Sequence, residues 1–97
     1  SKKGIEKQSG DRIFRIGDRV MQVKNNYDIY WEKEQEDKIE TGSGIFNGEL
    51  GRITKIDEEE KQLQVFFDDE KSAWYDFSNL DELEHSYSIT IHKSQRK

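Results

Sequence analysis

The sequence predicts a small, mainly β domain in which an antiparallel meander closes into a barrel. Three segments with alternating apolar residues, at 49–57, 62–68 and 72–77, follow one another with short polar turns between them. Aromatic residues make up 11% of the chain and fall in patterned runs, which favours a folded centre although 38% of the residues are charged. Because the chain has 97 residues, we expect one small domain with a small core.

Closure of the meander follows from the shortness of its strands. Strands of this length usually close into a barrel, because closure removes exposed edges. We therefore predict a small SH3-like antiparallel barrel with a short helix or turn and irregular flanking segments. The prediction places a flexible lead-in at residues 1–11, the barrel at 12–83 with a long charged loop at 28–43, and a flanking strip at 84–97.

The first barrel strand is predicted at residues 19–23, after a segment at 12–16 and a turn at Gly17-Asp18. Beyond it, the stretch WEKEQEDKIETGS is highly charged and its apolar residues are too sparse to predict a helix. A solvent loop is therefore the expectation for residues 28–43.

The strand at 49–57 is expected to place Leu50 and Ile56 on one face and Ile53 on the other. Gly51 inside this pattern indicates a bulge or a tight bend. A small barrel needs such a feature in order to curve.

The two strands that follow carry most of the predicted core. The inward residues of the strand at 62–68 share an alternating apolar pattern: Leu63, Val65 and Phe67. In the strand at 72–77, Trp74 and Tyr75 are neighbours and must point to opposite faces. The outward ring is either a binding residue or a contact with the rest of a larger protein.

Turn chemistry explains the stretch GSGIFNGELG. Asn47-Gly48 is a strong signal for a two-residue turn, and the glycine spacing fits no phosphate-binding loop. Ser78 is expected to cap a single helical turn at residues 79–83. For residues 87–95 the pattern leaves strand and helix both open.

Charge is distributed unevenly along the chain, whose net charge is −5. Residues 1–24 contain seven Lys and Arg against three Asp and Glu, residues 25–90 contain six against eighteen, and residues 91–97 contain three and none. Lys and Arg dominate binding to the phosphate backbone. The acidic middle therefore argues against strong DNA binding by the barrel alone, and a nucleic-acid contact is expected at the basic ends.

Several classes of site are disfavoured by composition. The chain has no cysteine, so it forms neither a disulfide nor a thiolate metal site, which suits a reducing cytosol. His85 and His92 lack metal-ligand spacing and are expected to be packing or surface residues, and the carboxylates of residues 68–70 are expected to form a solvated turn. No phosphate loop is present. We therefore expect no cofactor and no metal in this chain, and no enzymatic activity from it alone.

Two further features of the sequence bear on the location of the protein in the cell. No apolar run approaches the roughly 20 residues needed to span a bilayer, and no signal peptide is visible. We expect a cytoplasmic location without a membrane partner. Ser1 opens the chain in place of methionine, which predicts a segment of a longer protein.

Three blocks, at residues 17–29, 44–53 and 86–95, carry a resemblance to a known family; they read GDRVMQVKNNYDI, GIFNGELGRI and SYSITIHKSQ. Together and in this order they resemble the C-terminal part of RecD-like DNA helicases of superfamily one, the exodeoxyribonuclease V alpha subunit family. There a small SH3-like barrel is inserted into the second motor domain, before a motif that reads T-x-H-K-S-Q-G. The resemblance covers residues 12–95.

The resemblance implies a parent protein that hydrolyses ATP, with magnesium, and moves 5′ to 3′ along single-stranded DNA during DNA repair and recombination. The nucleotide and the metal would bind outside this chain. The implied partners are single-stranded DNA, the remainder of the helicase motor and, in a multi-subunit nuclease, the other exonuclease V subunits. Whether the parent acts alone or in such a complex stays open.

The resemblance also implies a set of DNA-binding residues in the third block: Thr90, His92, Lys93, Ser94 and Gln95. Hydroxyl, imidazole and ammonium groups donate hydrogen bonds to phosphate oxygens. The competing interpretation is that Thr90 and Ser94 satisfy nearby backbone groups. The family has glycine after Gln95, where this chain has Arg96, so no nucleotide contact is carried over.

A second candidate group, Asn25, Asn26 and Tyr27, follows the first strand. Their amides and aromatic ring suit a contact with DNA or with the motor core. A turn-forming role is the equal alternative, because asparagine side chains bond their own backbone in turns.

A stand-alone SH3-like module of the Tudor type, which binds a protein or peptide, is the rival hypothesis. The patterns GDRV, GRI and VFF suit such a module equally well. It predicts a compact barrel with an exposed aromatic pocket. It gives the T-x-H-K-S-Q segment no role, which is why we prefer the helicase interpretation.

Overall fold

The computed structural model describes residues 6–9 and 12–86 of the chain. This part consists of nine strands and one 3-10 helix, in the order β1 Glu6–Ser9, β2 Arg12–Arg15, β3 Arg19–Gln22, β4 Asn26–Gln35, β5 Lys38–Ile45, β6 Leu50–Asp57, β7 Gln62–Phe67, β8 Lys71–Asp76, the 3-10 helix Phe77–Glu82, and β9 Leu83–His85. The strands predicted at 19–23, 49–57, 62–68 and 72–77 correspond to β3, β6, β7 and β8.

Every strand pairing in the described part is antiparallel. Strands β1 and β2 form a small sheet of their own, and the other seven form one sheet in the order β5-β4-β8-β7-β6-β3-β9. The 3-10 helix connects β8 to β9, which returns to pair with β3. The predicted SH3-like antiparallel fold with one short helix is confirmed.

The core lies on one side of the β6–β7–β8 meander. Leu63, Val65 and Phe67 are at most 1% exposed, as their alternation predicted. Of the neighbouring rings on β8, Tyr75 is buried and Trp74 is 39% exposed. Successive side chains of a strand point to opposite faces, so only one of these two neighbouring rings belongs to the core.

The bulge in β6 lies three residues beyond the predicted position. Pairing with β7 shifts register between Ile53 and Lys55, so that Ile53 and Ile56 are both buried. Strict alternation had put these two residues on opposite faces, and that prediction is wrong. At Gly51 the structure shows a close approach of β7, where an added Cβ would lie 2.8 Å from the backbone oxygen of Phe66.

Residues 28–43 form most of the β4–β5 hairpin and not the predicted loop. Only Glu36 and Asp37 connect the strands, with Glu36 at a φ of +56°. Trp31 packs against the core from this hairpin, and Gly42 lies so close beneath its ring that an added Cβ would be 2.5 Å from it. The sequence did not predict the hairpin because most of its side chains face water. Its two strands therefore show little alternation of apolar and polar residues.

Lys71 of β8 pairs with Lys33 of the same hairpin. Its side chain is 11% exposed, its Nζ lies 2.8 Å from Glu49 Oε1 and 3.4 Å from Asp69 Oδ2, and it sits 5.3 Å from the centre of the Trp31 ring. Burial by itself lowers the pKa of Lys71, but the hydrogen bonds and charges of Glu49 and Asp69 outweigh it and raise the pKa above its usual value. The ammonium group is thus a charged member of the interior.

Residues 6–9, predicted to belong to a flexible lead-in, form β1 and pair with β2. Phe14 of β2 is fully buried and stacks on His85 with ring centres 5.0 Å apart. His85 Nε2 also lies 2.9 Å from Asp18 Oδ2. His85 is therefore a packing residue, as expected, and it connects β2 to the end of the barrel.

The helical turn begins one residue before the predicted cap. The 3-10 helix starts at Phe77 with Asp76 as its N-cap residue, and that cap makes no side-chain hydrogen bond. Ser78 lies inside the helix, so the prediction that it caps the turn is wrong. Leu80 is buried and anchors the helix.

Candidate nucleic-acid interface

The candidate residues Asn25, Asn26 and Tyr27 lie where β3 passes into β4. Asn25 and Tyr27 are exposed, and Asn26 is half-buried. Each of the three side chains has a different role, and Tyr27 exposes most of its ring to solvent.

Asn26 is a structural residue. Its Nδ2 donates to both carboxylate oxygens of Glu82, at 3.0 and 3.2 Å, and its Oδ1 accepts the backbone N–H of Asp28 at 2.9 Å. All of the amide's polar atoms are thus engaged. The turn-forming interpretation describes Asn26 well.

The same Glu82 carboxylate belongs to a buried polar network. Gln22, which is 0% exposed, donates from Nε2 to Glu82 Oε1 at 3.0 Å and to the backbone oxygen of Lys24 at 2.8 Å. Tyr75 donates its hydroxyl to Gln22 Oε1 at 2.6 Å. Burial, together with the nearby charges of Glu82 and Glu49, raises the pKa of Tyr75 far above its usual value. This network holds the β3–β4 junction on the barrel.

Asn25 joins two loops. Its Oδ1 accepts the backbone N–H of Asn47 at 2.9 Å, across the turn between β5 and β6. That turn is the one predicted at Asn47-Gly48, and Gly48 has a φ of +100°. The β3–β4 junction and the β5–β6 turn therefore form one end of the barrel.

Two aromatic rings meet at this end. Tyr27 is 67% exposed and Phe46 is 38% exposed, and their ring centres are 5.2 Å apart with an interplanar angle of 65°. Gly44 makes room beside Phe46, because a Cβ there would lie 2.8 Å from Phe46 Cζ. We call Tyr27 and Phe46 the ring pair. Sequence reasoning had singled out Tyr27 and missed Phe46, although GIFNG places an aromatic residue directly before a turn signal.

Two of the carboxylates at this end of the barrel are engaged by other groups. Glu49 accepts the backbone N–H of Phe46 at 2.9 Å through Oε2 and pairs with Lys71 through Oε1. Lys24 lies 3.6 Å from Asp81, with both side chains largely exposed. The negative charges of Glu49 and Asp81 are thus compensated by Lys71 and Lys24, while Asp28 lies exposed beside Tyr27.

The third sequence block leaves the barrel at the opposite end of β3. Strand β9 runs antiparallel to β3, with Leu83 beside Gln22, and the Ser86 N–H donates to the Arg19 carbonyl at 3.0 Å. The predicted DNA-binding residues of this block, Thr90, His92, Lys93, Ser94 and Gln95, lie outside the described residues. Their roles stay predictions.

A comparison with protein families decides the membership of the chain. The family model described as the ATP-dependent RecD-like DNA helicase SH3 domain matches residues 1–67. The chain belongs to this family of SH3 domains.

Two further comparisons bear on this SH3 domain. Over 89 residues it is 33% identical to an uncharacterized protein of Methanocaldococcus jannaschii, a match that covers 84% of the chain but 7% of that protein. The chain thus spans only a small part of this curated relative. No solved structure matches the chain significantly.

The fold brings together two of the three blocks on which the family resemblance rests. Tyr27 belongs to the block at 17–29 and Phe46 to the block at 44–53, and they form the ring pair. Between residues 6 and 86, the described part of this SH3 domain contains no cluster of three His, Asp or Glu placed to hold a metal ion. Within the same part no helix has the length and apolar character needed to cross a bilayer.

Arg19, at the other end of the SH3 domain, is held by Asp68. The guanidinium donates to both carboxylate oxygens, at 2.8 and 3.1 Å. This hydrogen bond lowers the pKa of Asp68, with smaller contributions from the charges of Arg19 and Arg52. The positive charge of Arg19 is therefore partly compensated before any ligand arrives.

We expect the carboxyl group of Asp68 to titrate below about 3.9, the ordinary value for aspartate, in carbon-detected NMR. A depressed pKa means that the pair adds stability above that value and loses it as the pH falls through the folded-state pKa. Arg19→Gln should raise the pKa of Asp68 more than Arg52→Gln, since Arg52 acts on Asp68 only through a weaker charge–charge interaction. An equal response to the two substitutions would contradict the assignment of the shift to the Arg19 hydrogen bond.

Proposed function

We propose that this chain is the accessory SH3 domain of an ATP-dependent DNA helicase that translocates 5′ to 3′ in DNA repair and recombination. ATP and magnesium would bind in the remainder of that protein. The barrel would support the single strand next to the motor, and the segment containing Thr90 and His92 would link it to the DNA track. Family membership supports the helicase assignment.

The ring pair is the observation that supports DNA binding by this domain. Single-stranded nucleic acid is commonly held by aromatic side chains on which bases stack, a contact worth about 1–3 kcal/mol per base. Tyr27 offers most of its ring to solvent, and its edge-to-face contact with Phe46 orients it. The exposed amide of Asn25 lies beside it, bound to the neighbouring turn. A base can therefore stack on a preorganised ring bordered by polar groups.

Tyr27→Ala should weaken binding of a fluorescein-labelled oligothymidylate by roughly 5- to 150-fold, the range that corresponds to loss of one stacked base. Fluorescence anisotropy at low salt measures the dissociation constant, and binding should fall further as salt is added. Tyr30→Ala is the matched control, because Tyr30 is a similarly exposed tyrosine on the same strand, and it should change the constant less than twofold. Equal losses in the two variants, or none in Tyr27→Ala, would remove the ring pair from the DNA interface.

A further inference from the structure

The solvent side of strands β4, β8 and β7 is a second surface, distinct from the ring pair. Cross-strand pairing puts Glu32, Ser72 and Phe66 in one row, and Gln64 and Trp74 in the next. Trp31 of β4 and Val65 of β7 both pair with the buried Ala73 of β8. The residues that alternate with these three along their strands therefore face water. We call this surface the outer face.

The outer face exposes large apolar groups. Tyr30 is 56% exposed, Phe66 44% and Trp74 39%, and Ile39, opposite Glu34 on β5, is 58% exposed. A contiguous group of exposed apolar side chains with a polar rim is typical of an interaction site. Four of the large exposed hydrophobic residues in the described part therefore belong to one surface.

A cleft of about 400 Å³ opens on this face, lined by Glu32, Glu34, Gln64, Phe66, Glu70 and Ser72. Three of these six side chains are carboxylates, and the cleft has a volume within the range of ordinary ligand clefts. Tyr30 donates its hydroxyl to Glu32 at 3.3 Å, which places a ring directly beside the acidic wall. The cleft thus combines aromatic surface with negative charge.

The charge of the outer face identifies the kind of partner that it fits. Carboxylates bind Lys and Arg side chains, and aromatic rings attract the same cations through their faces. A nucleic acid is disfavoured here because its phosphates would meet the three carboxylates of the cleft. A second copy of this surface is disfavoured for the same reason. At the β6 side, Arg52 lies opposite Phe66, but its guanidinium donates to the Gly17 carbonyl at 3.2 Å.

We infer that the outer face docks a Lys- or Arg-rich segment of a partner protein, while the ring pair stays free for DNA. The cationic side chains enter the cleft between Glu32, Glu34 and Glu70, and their aliphatic stems lie along Phe66. The inference does not depend on DNA binding by the ring pair, since the two surfaces share no residue.

The test uses a fluorescein-labelled decapeptide in which arginine alternates with glycine, titrated into the 97-residue chain. Binding should shift the backbone NMR signals of residues 32, 66 and 72 and leave those of 27 and 46 in place. The same peptide with glutamate in place of arginine should not bind. Largest shifts around residues 27 and 46, or no binding at millimolar peptide, would overturn the inference.

Charge-matched variants separate a specific cleft from general acidity. Glu32→Gln/Glu34→Gln should weaken peptide binding at least fivefold. The control Glu40→Gln/Glu60→Gln removes the same charge from exposed positions off the outer face, one on β5 opposite Lys33 and one in the β6–β7 turn, and should change affinity less than twofold. Equal losses in the two variants would show nonspecific attraction and overturn the inference.

The aromatic contribution is tested by substitutions that keep the fold. Phe66→Leu retains apolar bulk at a half-exposed position but removes the ring, and should weaken binding about threefold or more. Phe66→Tyr should bind like the parent chain. If Phe66→Leu binds as tightly as the parent chain, the cation does not use the ring and the proposed mode is wrong. Sedimentation at the concentrations used should show a monomer; a dimer that excludes the peptide would assign this face to a second copy instead.

Discussion

Gly51→Ala is expected to destabilise this domain by about 1–3 kcal/mol, the range for overpacking a filled core. The new Cβ would lie 2.7 Å from Val65 Cγ1, 2.8 Å from the Phe66 carbonyl oxygen and 3.0 Å from Phe67 Cα. Two of these three atoms belong to the backbone of β7, so a rotamer change cannot relieve the contact. Urea unfolding followed by tryptophan fluorescence should show a lower midpoint with an unchanged slope.

Gly48 supplies the contrasting case. A Cβ there meets nothing within 4 Å, but the φ of +100° is a conformation that L-residues rarely adopt. Gly48→Ala should therefore cost about 1–2 kcal/mol through backbone strain alone, and Gly48→Asn should recover part of it because asparagine tolerates positive φ. Gly51→Asn should be worse than Gly51→Ala, since it is larger. If asparagine helped at both positions, space at Gly51 would not be the limiting factor.

Gln22→Leu should lower the free energy of unfolding by about 2–4 kcal/mol, because it leaves buried polar groups without partners. The Tyr75 hydroxyl loses its acceptor, and Glu82 loses one of its amide donors. Tyr75→Phe alone should cost about 1–2 kcal/mol, since Gln22 keeps its donor bonds to Glu82 and Lys24.

A double-mutant cycle tests whether these groups act as a unit. Gln22→Leu/Tyr75→Phe should be less destabilised than the sum of the single variants by about 1 kcal/mol, because removing both partners leaves neither the hydroxyl nor its acceptor unsatisfied. Independent sites usually add within about 0.5 kcal/mol. Simple additivity here would mean that the 2.6 Å hydrogen bond contributes nothing specific.

The barrel could be predicted because its central strands follow a period of two. Leu63, Val65 and Phe67 recur at every second position, with Gln64 and the exposed Phe66 between them, and the turns between strands carry charge or an Asn-Gly pair. Local patterns of this kind contain the information that decides which face is buried.

The β4–β5 hairpin and the β6 bulge could not be predicted from the sequence, and the reason is the same for both. Most of the exposed residues of β4 and β5 are polar or charged. The strands are therefore maintained by backbone pairing and by the contact between Trp31 and Gly42, which are eleven positions apart in the sequence. The β6 bulge likewise depends on its partner, since it appears only in the register between Ile53 and Lys55 against β7. Contacts between distant segments decide both features, and no local pattern reports them.

Parts of the candidate site could be predicted from the sequence, but their arrangement could not. Tyr27 and the Asn47-Gly48 turn were recognised separately, but only the folded chain shows that the Asn25 amide joins them and that Phe46 completes the pair. The acidity of residues 25–90 was visible in the sequence. The sequence did not show that three aromatic rings lie on the same face as these carboxylates.

The largely buried ammonium of Lys71 makes the opening of its ion pair with Glu49 measurable by chemical labelling. Because Glu49 binds Lys71 through one oxygen and the Phe46 N–H through the other, a single carboxylate connects the interior to the ring pair. Acylation of Lys71 requires its Nζ to leave Glu49 and Asp69, and would then leave Glu49 with one of these two partners. The rate of acylation at Lys71, relative to exposed lysines such as Lys61, thus reports how often this ion pair opens in solution.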